Sequence, residues 1–384
     1  MCAGKTKEFM PVTPLMITWS REKAGYSLEE AENHFKKIAE WENSISSPTY
    51  PQLETMSEKF KVPIAIFFFP EPPEIPPVSE TFRTIPESEF DRMPQRIKAL
   101  LYKAKAFQIS LAELNGNKNP TPKLITKDLQ FKTNTSIDKM ASKIRNYLDV
   151  SLDEQFSWKT SEEALKKWRE AVSNIGVYVF KDAFRQGNFC GFCLYDDEFP
   201  IIYINNTTTD NRQIFSIFHE LAHLIFHTSG IDVVDEYYVN RLPNNAQKIE
   251  IICNRFAGKF LVPDTAFKKE SANMPINRET VSLLADKFNV SRHVIYRKYL
   301  DDGMIGDREY NSAIKELDRQ PIKNGNGGNY YNTTMAYLGR PYVRLAFEGY
   351  YQGRFDKVQL ADYLDIKPIN VAQIEERLLR TSQG

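Results

Sequence analysis

Ile214-Phe215-Ser216-Ile217-Phe218-His219-Glu220-Leu221-Ala222-His223-Leu224-Ile225-Phe226-His227 holds three of the chain's five histidines in an otherwise apolar run. The spacing predicts a helix over about Asn211–His227. Residues i and i+4 share one face of a helix, so His219 and His223 can bring both imidazoles to one Zn²⁺. Glu220 projects beside them, placed to hold the attacking water rather than the metal. Composition alone would produce this H-E-x-x-H pattern roughly once in a few hundred such chains. The bland alternative is a buried helix whose histidines merely find backbone partners. Two imidazoles and a carboxylate on so apolar a helix are costly without a metal or full hydrogen bonding.

A hydrolytic zinc site needs a third protein ligand and one open position. The downstream candidates are Asp232, Asp235, Glu236 and Glu250. Glu250 is expected to open a helix over Lys248–Leu261, whose rigid backbone can aim a carboxylate. The other three fall in an expected loop before Pro243. His227 lies one turn beyond His223, too far along the axis to join them, and is expected to pack or to support the site. The chemistry this set predicts is peptide hydrolysis, with Glu220 taking a proton from water and passing it to the leaving amine.

The two segments together carry a resemblance. His219–His223, followed by Glu250-Ile251-Ile252-Cys253-Asn254-Arg255-Phe256-Ala257-Gly258-Lys259-Phe260-Leu261-Val262-Pro263, resembles the ImmA/IrrE family of metallopeptidases. Its members pair an HExxH helix with a later helix of the type E-x-x-A-N-x-F-A-x-x-L-L-M-P. Cys253 and Val262 stand where Ala and Met are usual, and both changes are conservative. Trp168, Gly176 and the strand ending at Asn205 resemble the family's lead-in, and Leu284–Ser291 its downstream helical pair. The segment Gly327–Tyr331 and the tail resemble long bacterial and phage members. The resemblance implies a cytoplasmic, zincin-like endopeptidase with Zn²⁺ as cofactor. The implied partner is a protein substrate, foremost a helix-turn-helix repressor encoded nearby. Two rivals stand beside it: a non-proteolytic regulator with structural zinc, and a protease toxin neutralised by an antitoxin. Glu220 argues against the first, because a structural site has no use for such a carboxylate and usually has four protein ligands.

The rest of the chain frames this centre. At 384 residues it is long enough for two or three domains. Apolar residues make up 42% and charged residues 26%, with Lys+Arg and Asp+Glu both at 50, which fits a soluble globular protein and argues against a chain-wide polyanion binder. The most apolar stretch, Ile64–Phe69, is bracketed by Pro63 and Pro70 and is far short of the roughly 20 residues a membrane span needs. No long apolar segment follows Lys5 and Lys7, so no signal peptide is expected. Cys190-Gly191-Phe192-Cys193 has redox or zinc-pair spacing, but residues three apart on a strand face opposite ways, so both cysteines are expected to be packing residues.

The pattern predicts an α+β chain, mostly helical. Residues 1–70 form a helical module, and residues 71–122 hold a proline-rich linker and a long helix over Arg96–Leu114. Residues 123–315 form the peptidase-like domain, and residues 316–384 a C-terminal helical domain after a flexible break at Lys323–Asn329. The central domain is expected to hold helices Ile137–Leu148 and Glu162–Ile175. It also holds strands Val177–Phe180, Phe189–Tyr195 and Ile201–Asn205 in a small antiparallel sheet. Ile201–Asn205 is read as the edge to which a substrate strand adds.

Residues 14–63 resemble a degenerate XRE-type helix-turn-helix module, through Trp19, Ala24-Gly25, Ser27–Ala31, Trp41-Glu42 and Ser46–Thr49. Only nine residues, Glu32–Glu40, separate Ala31 from Trp41, which is too few for a full turn and recognition helix. The module is also net acidic, a poor match to phosphates. A structural, dimerising or sensing role is expected in place of DNA binding. Ala285–Tyr299 and Leu360–Leu378 imitate the same motif and are read as scaffold and as helical packing.

Overall fold

The computed structural model describes residues 9–60, 62, 64–72, 90, 92–233, 240–318 and 329–380. These fall into two compact units. One holds the described residues of Met1–Glu80, Pro86–Lys105 and Phe184–Gln186; the other holds those of Ala106–Ala183 and Gly187–Gly384. No helix of the described residues is long and apolar enough to cross a membrane. The expected break at Lys323–Asn329 lies, but for Asn329, outside the described residues.

In the first unit, Pro14–Lys23 starts with proline at its first turn, where the missing N–H costs nothing. Leu28–Glu32 opens with the expected capping box: Ser27 Oγ accepts from the Glu30 N–H at 3.1 Å, and Glu30 Oε2 accepts from the Ser27 N–H at 2.9 Å. The helix expected over Lys36–Asn43 shrinks to Ile38–Glu42, and Ser44 just beyond it takes a φ of 62°. Tyr50–Phe60 completes the set, around a core of Ile17, Phe35, Ile38, Trp41, Leu53 and Phe60. Arg21, counted from sequence among the module's cations, is buried and held on Glu42 at 2.6 and 3.1 Å, so it is not offered to a phosphate.

The second unit is built on a four-stranded mixed sheet: β1 (Tyr178–Asp182), β2 (Phe189–Leu194), β3 (Ile201–Asn205) and β4 (Ile231–Val233), in the order β1-β3-β2-β4. β3 runs parallel to β1 and antiparallel to β2, which is antiparallel to β4. Two expectations change here. The sheet is not wholly antiparallel, and Ile201–Asn205 is an inner strand with partners on both sides, so it has no free edge for a substrate. The missed strand β4 has only three residues, too short for a visible alternation. It lies at one end of the sheet and β1 at the other.

The H-E-x-x-H helix, Asp210–Ile225, packs on β2 and β3. From Gln213 to Ile225 every residue but Phe215 is buried, so it is apolar nearly all round, as a helix sunk in a core must be. Thr209 caps it by accepting from the Arg212 N–H. On β2, a Cβ at Gly191 would sit a tight 3.2 Å from the Tyr203 carbonyl of β3, and at an ordinary 3.7 Å from Glu220 Cγ on the helix. Against this helix lies Asn244–Leu261, which starts one turn before the expected Lys248. An aromatic stack locks the pair: Phe218 and Phe260 lie 4.2 Å apart between ring centres, with Trp168 edge-on to Phe218 at 4.8 Å.

The remaining helices brace this core. Helix Ile137–Leu148 matches its predicted bounds and supplies Arg145, whose guanidinium lies 4.5 Å over the Phe260 ring and donates to the Phe260 carbonyl. The same guanidinium donates to Gln155 Oε1 at 2.9 Å, while Gln155 Nε2 donates to the carbonyls of Leu261 at 2.9 Å and Phe288 at 2.8 Å. Arg278–Phe288 and Arg292–Asp301 join through Asn289, at a φ of 53°, whose amide donates to the Gln155 carbonyl at 3.2 Å. Tyr330–Leu338, not expected as a separate helix, is tied to the sheet by Arg169, which donates to Ala336 O at 2.8 Å and Val179 O at 2.7 Å. Arg340–Tyr351, Lys357–Tyr363 and Val371–Arg380 follow.

Gln155 is fully buried and ends both helices that close the core. Each orphaned buried polar group costs about 1–3 kcal/mol. Gln155→Leu should therefore lower the unfolding free energy of the second unit by roughly 2–5 kcal/mol, read as a shift of its urea midpoint; an unchanged midpoint contradicts this role.

Candidate metal centre

His219 and His223 leave the same face of the apolar helix, as their spacing requires. Glu250 meets them from the second turn of Asn244–Leu261, not from the opening turn that the expected Lys248 start would give it. His219 Nε2 lies 3.3 Å from Glu250 Oε2, His223 Nε2 lies 3.1 Å from Glu250 Oε1, and the two Nε2 atoms are 3.2 Å apart. The three side chains are 1%, 3% and 7% exposed. Among the described residues, this trio offers ligand atoms that all lie within 4.8 Å of one another.

The far side of each ring decides what converges. His219 Nδ1 lies 3.2 Å from Asn254 Oδ1 and His223 Nδ1 lies 3.4 Å from Thr228 Oγ1. An Nδ1 hydrogen donated to these oxygens leaves the Nε2 lone pair facing inward. Two nitrogen lone pairs and a carboxylate then point at one another, which is repulsive unless a cation sits among them. The electrostatics agree. Burial pulls the His219 pKa down, but Asp232, the hydrogen bond and charge of Glu250, and Glu220 outweigh it and raise the value to about 9. Burial alone would raise the Glu250 pKa, yet His223 and His219 hold it well below the usual carboxylate range. A site that stabilises positive charge this strongly, with two imidazoles and a carboxylate, is compatible with a metal ion.

Glu220 is fully buried between the cluster and β2, and neither carboxylate oxygen has a hydrogen-bond partner. Burial raises its pKa to about 7, with Asp232 adding to the effect and His219, His223 and the Cys193 thiol opposing it. An orphaned buried carboxylate is expensive, and here it stands beside two buried imidazoles.

Asp232 does not join the trio. Arg212 Nη2 donates to both its oxygens at 2.7 and 2.9 Å and Ser216 Oγ donates at 2.7 Å, so its lone pairs are spent inside the ion pair. Asp235 and Glu236 lie outside the described residues. His227 sits past the helix end at a φ of 57°, stacked on Tyr195 at 4.9 Å, away from the cluster. Cys190, Cys193 and Cys253 are buried free thiols, and Cys190 falls at a register shift where β2 pairs with β4. Cys2 lies outside the described residues.

Residues 172–299 match the family model described as Peptidase_M78, IrrE N-terminal-like domain. This segment belongs to the ImmA/IrrE family of metallopeptidases. The match runs from the end of the Trp168 helix through the sheet, both site helices and the helical pair joined by Asn289; it covers a third of the chain. The N-terminal helices and the C-terminal tail fall outside it. No curated protein matches the chain.

Sequence reasoning missed the groups that hold the rings. Asn254 was legible in principle, four residues after Glu250 on one helical face. Thr228 and Gly230 had no such signal, because they belong to a turn. A Cβ on Gly230 would lie 2.5 Å from His223 Cγ and Cδ2, so only glycine lets the ring lie against that backbone. Gly230→Ala should displace the ring and weaken divalent-metal retention roughly 10–100-fold, measured by chelator competition. Wild-type retention would show that the ring has room to give.

Proposed function

We propose that the chain is a zinc-dependent endopeptidase that cleaves a regulatory protein, foremost a helix-turn-helix repressor encoded near it. One observation carries the reading. His219, His223 and Glu250 converge with their lone pairs inward, and a buried carboxylate with no partner, Glu220, stands directly beside them. Two imidazoles and one carboxylate form a donor set suited to zinc and leave the fourth tetrahedral position open. In this reading His219, His223 and Glu250 are the ligands and Glu220 is the catalytic base.

When bound, zinc supplies Lewis acidity towards the nucleophilic water and the scissile carbonyl. Glu220 accepts the proton of that water and returns it to the leaving amine. Its burial keeps bulk water from competing for the carboxylate and strengthens each interaction it makes. Asn254 and Thr228 hold the two imidazoles in the tautomer that faces the centre. Asp232, fixed by Arg212 and Ser216, adds negative charge behind His219. The substrate backbone would add to β4, the end strand that follows the His223 turn, in place of the inner strand β3.

Glu220→Gln should retain wild-type metal content and fold while losing cleavage of a repressor encoded beside the chain, followed by gel and mass spectrometry. Cleavage by the variant at the wild-type rate would rule out its role as base. Cleavage of an unrelated cellular protein by wild type alone would favour the toxin reading instead.

The ligand assignment separates from the base. Glu250→Ala should lower zinc affinity by roughly 100-fold or more. Asp232→Asn, which alters a carboxylate already occupied by Arg212 and Ser216, should change it far less. Equal losses in a chelator titration would overturn Glu250 as the third ligand.

A further inference from the structure

His219 and His223 are not held alike. His219 lies in the body of its helix, where hydrogen bonds run on both sides of it. His223 lies in the last turn, which ends at Ile225, where carbonyls take partners from beyond the helix. A ligand there needs an external support, and the turn that follows supplies one. The Thr228 N–H donates to the His223 carbonyl at 3.0 Å and Thr228 Oγ1 donates to the same carbonyl at 3.1 Å. Thr228 Oγ1 also faces His223 Nδ1 at 3.4 Å, and Gly230 backs the ring. Backbone and imidazole of His223 are therefore both referred to residues 228–230.

What holds that turn is β2. The Cys193 N–H donates to the Gly230 carbonyl at 3.0 Å, and the Tyr195 N–H donates to Ser229 Oγ at 3.0 Å. Between them the Cys193 thiol closes the clasp: Sγ accepts from the Gly230 N–H at 3.3 Å and donates to the Thr228 carbonyl at 3.8 Å. The side chain is fully buried, so no water can replace either bond. Burial, with the charge of Glu220 and the thiol's contact to that carboxylate, keeps the sulfur protonated.

We infer that Cys193 is a positioning residue for the metal centre: by clasping the Thr228–Gly230 turn to β2, it fixes the orientation of His223. This rests on the metallopeptidase reading of the site, and it replaces the sequence-based expectation that Cys193 merely fills space. A packing thiol and a clasping thiol differ in one respect. Packing is lost more by serine than by alanine, whereas a clasp is lost with alanine and largely restored by serine, which keeps a donor and an acceptor.

The full-length chain and its Cys193→Ala, Cys193→Ser and Thr228→Val variants would be titrated with Zn²⁺ against a chromophoric chelator. The d–d absorption bands of each Co²⁺-loaded form would be recorded beside them. Cys193→Ala should lose roughly 10–100-fold in affinity with altered Co²⁺ bands, and Cys193→Ser should recover most of the loss. Thr228→Val, which leaves β2 untouched, should lose a similar factor and decides the matter if Cys193→Ala fails to fold. Wild-type affinity in Cys193→Ala, no rescue by serine, or an unaffected Thr228→Val would each overturn the inference. A wild-type chain that binds neither metal would overturn the metallopeptidase reading and this inference together.

Discussion

The second unit is organised around a concentration of charge in an apolar core. Four ionisable side chains, His219, Glu220, His223 and Glu250, are each less than a tenth exposed. The effective penalty for burying one ion is several kcal/mol, while a whole domain is stable by only about 5–15 kcal/mol. Such a cluster persists only if the surrounding packing is strong and if the charges compensate one another. Both conditions are met: the two helices that carry it are sealed by the Trp168, Phe218 and Phe260 rings, and the imidazoles face a carboxylate.

Compensation is uneven, and the unevenness is informative. Asp232 is satisfied three times over by Arg212 and Ser216 and so behaves as fixed background charge. Glu250 is balanced by the two imidazoles. Glu220 alone among these carboxylates has no partner. A structural cluster would have spread its hydrogen bonds more evenly, since each unsatisfied buried group weakens the fold. The exposed Asn254, bonded to His219, places the centre one side chain below the surface.

The same logic runs outward through the fold. Glycine at 230 lets the His223 ring press against backbone, and the buried amides of Gln155 and Asn289 end helices that would otherwise leave carbonyls bare in the core. These are backbone solutions to a close-packed interior, and none depends on periodicity.

Periodicity and local capping chemistry are what the sequence by itself determined. Spacing of i and i+4 placed His219 and His223 on one face, apolar residues recurring every three or four positions marked the helices, and Ser27 and Thr160 marked where two of them begin. Bounds such as Ile137–Leu148 and Ile201–Asn205 follow from residues that are neighbours in the chain. Glu250 could be named as a candidate because it lies on a helix, but its meeting with the histidines is a contact across 27 positions or more, which only packing decides. Strand order is non-local in the same way: nothing in Ile201–Asn205 distinguishes an edge from an inner strand, since both of its faces are buried. Three-residue β4, the occupation of Asp232 by Arg212, and the Thr228–Gly230 turn against Cys193 were likewise decided by tertiary structure. Each depends on groups brought together by chain segments that share no periodic signal, so the local sequence carries no record of them.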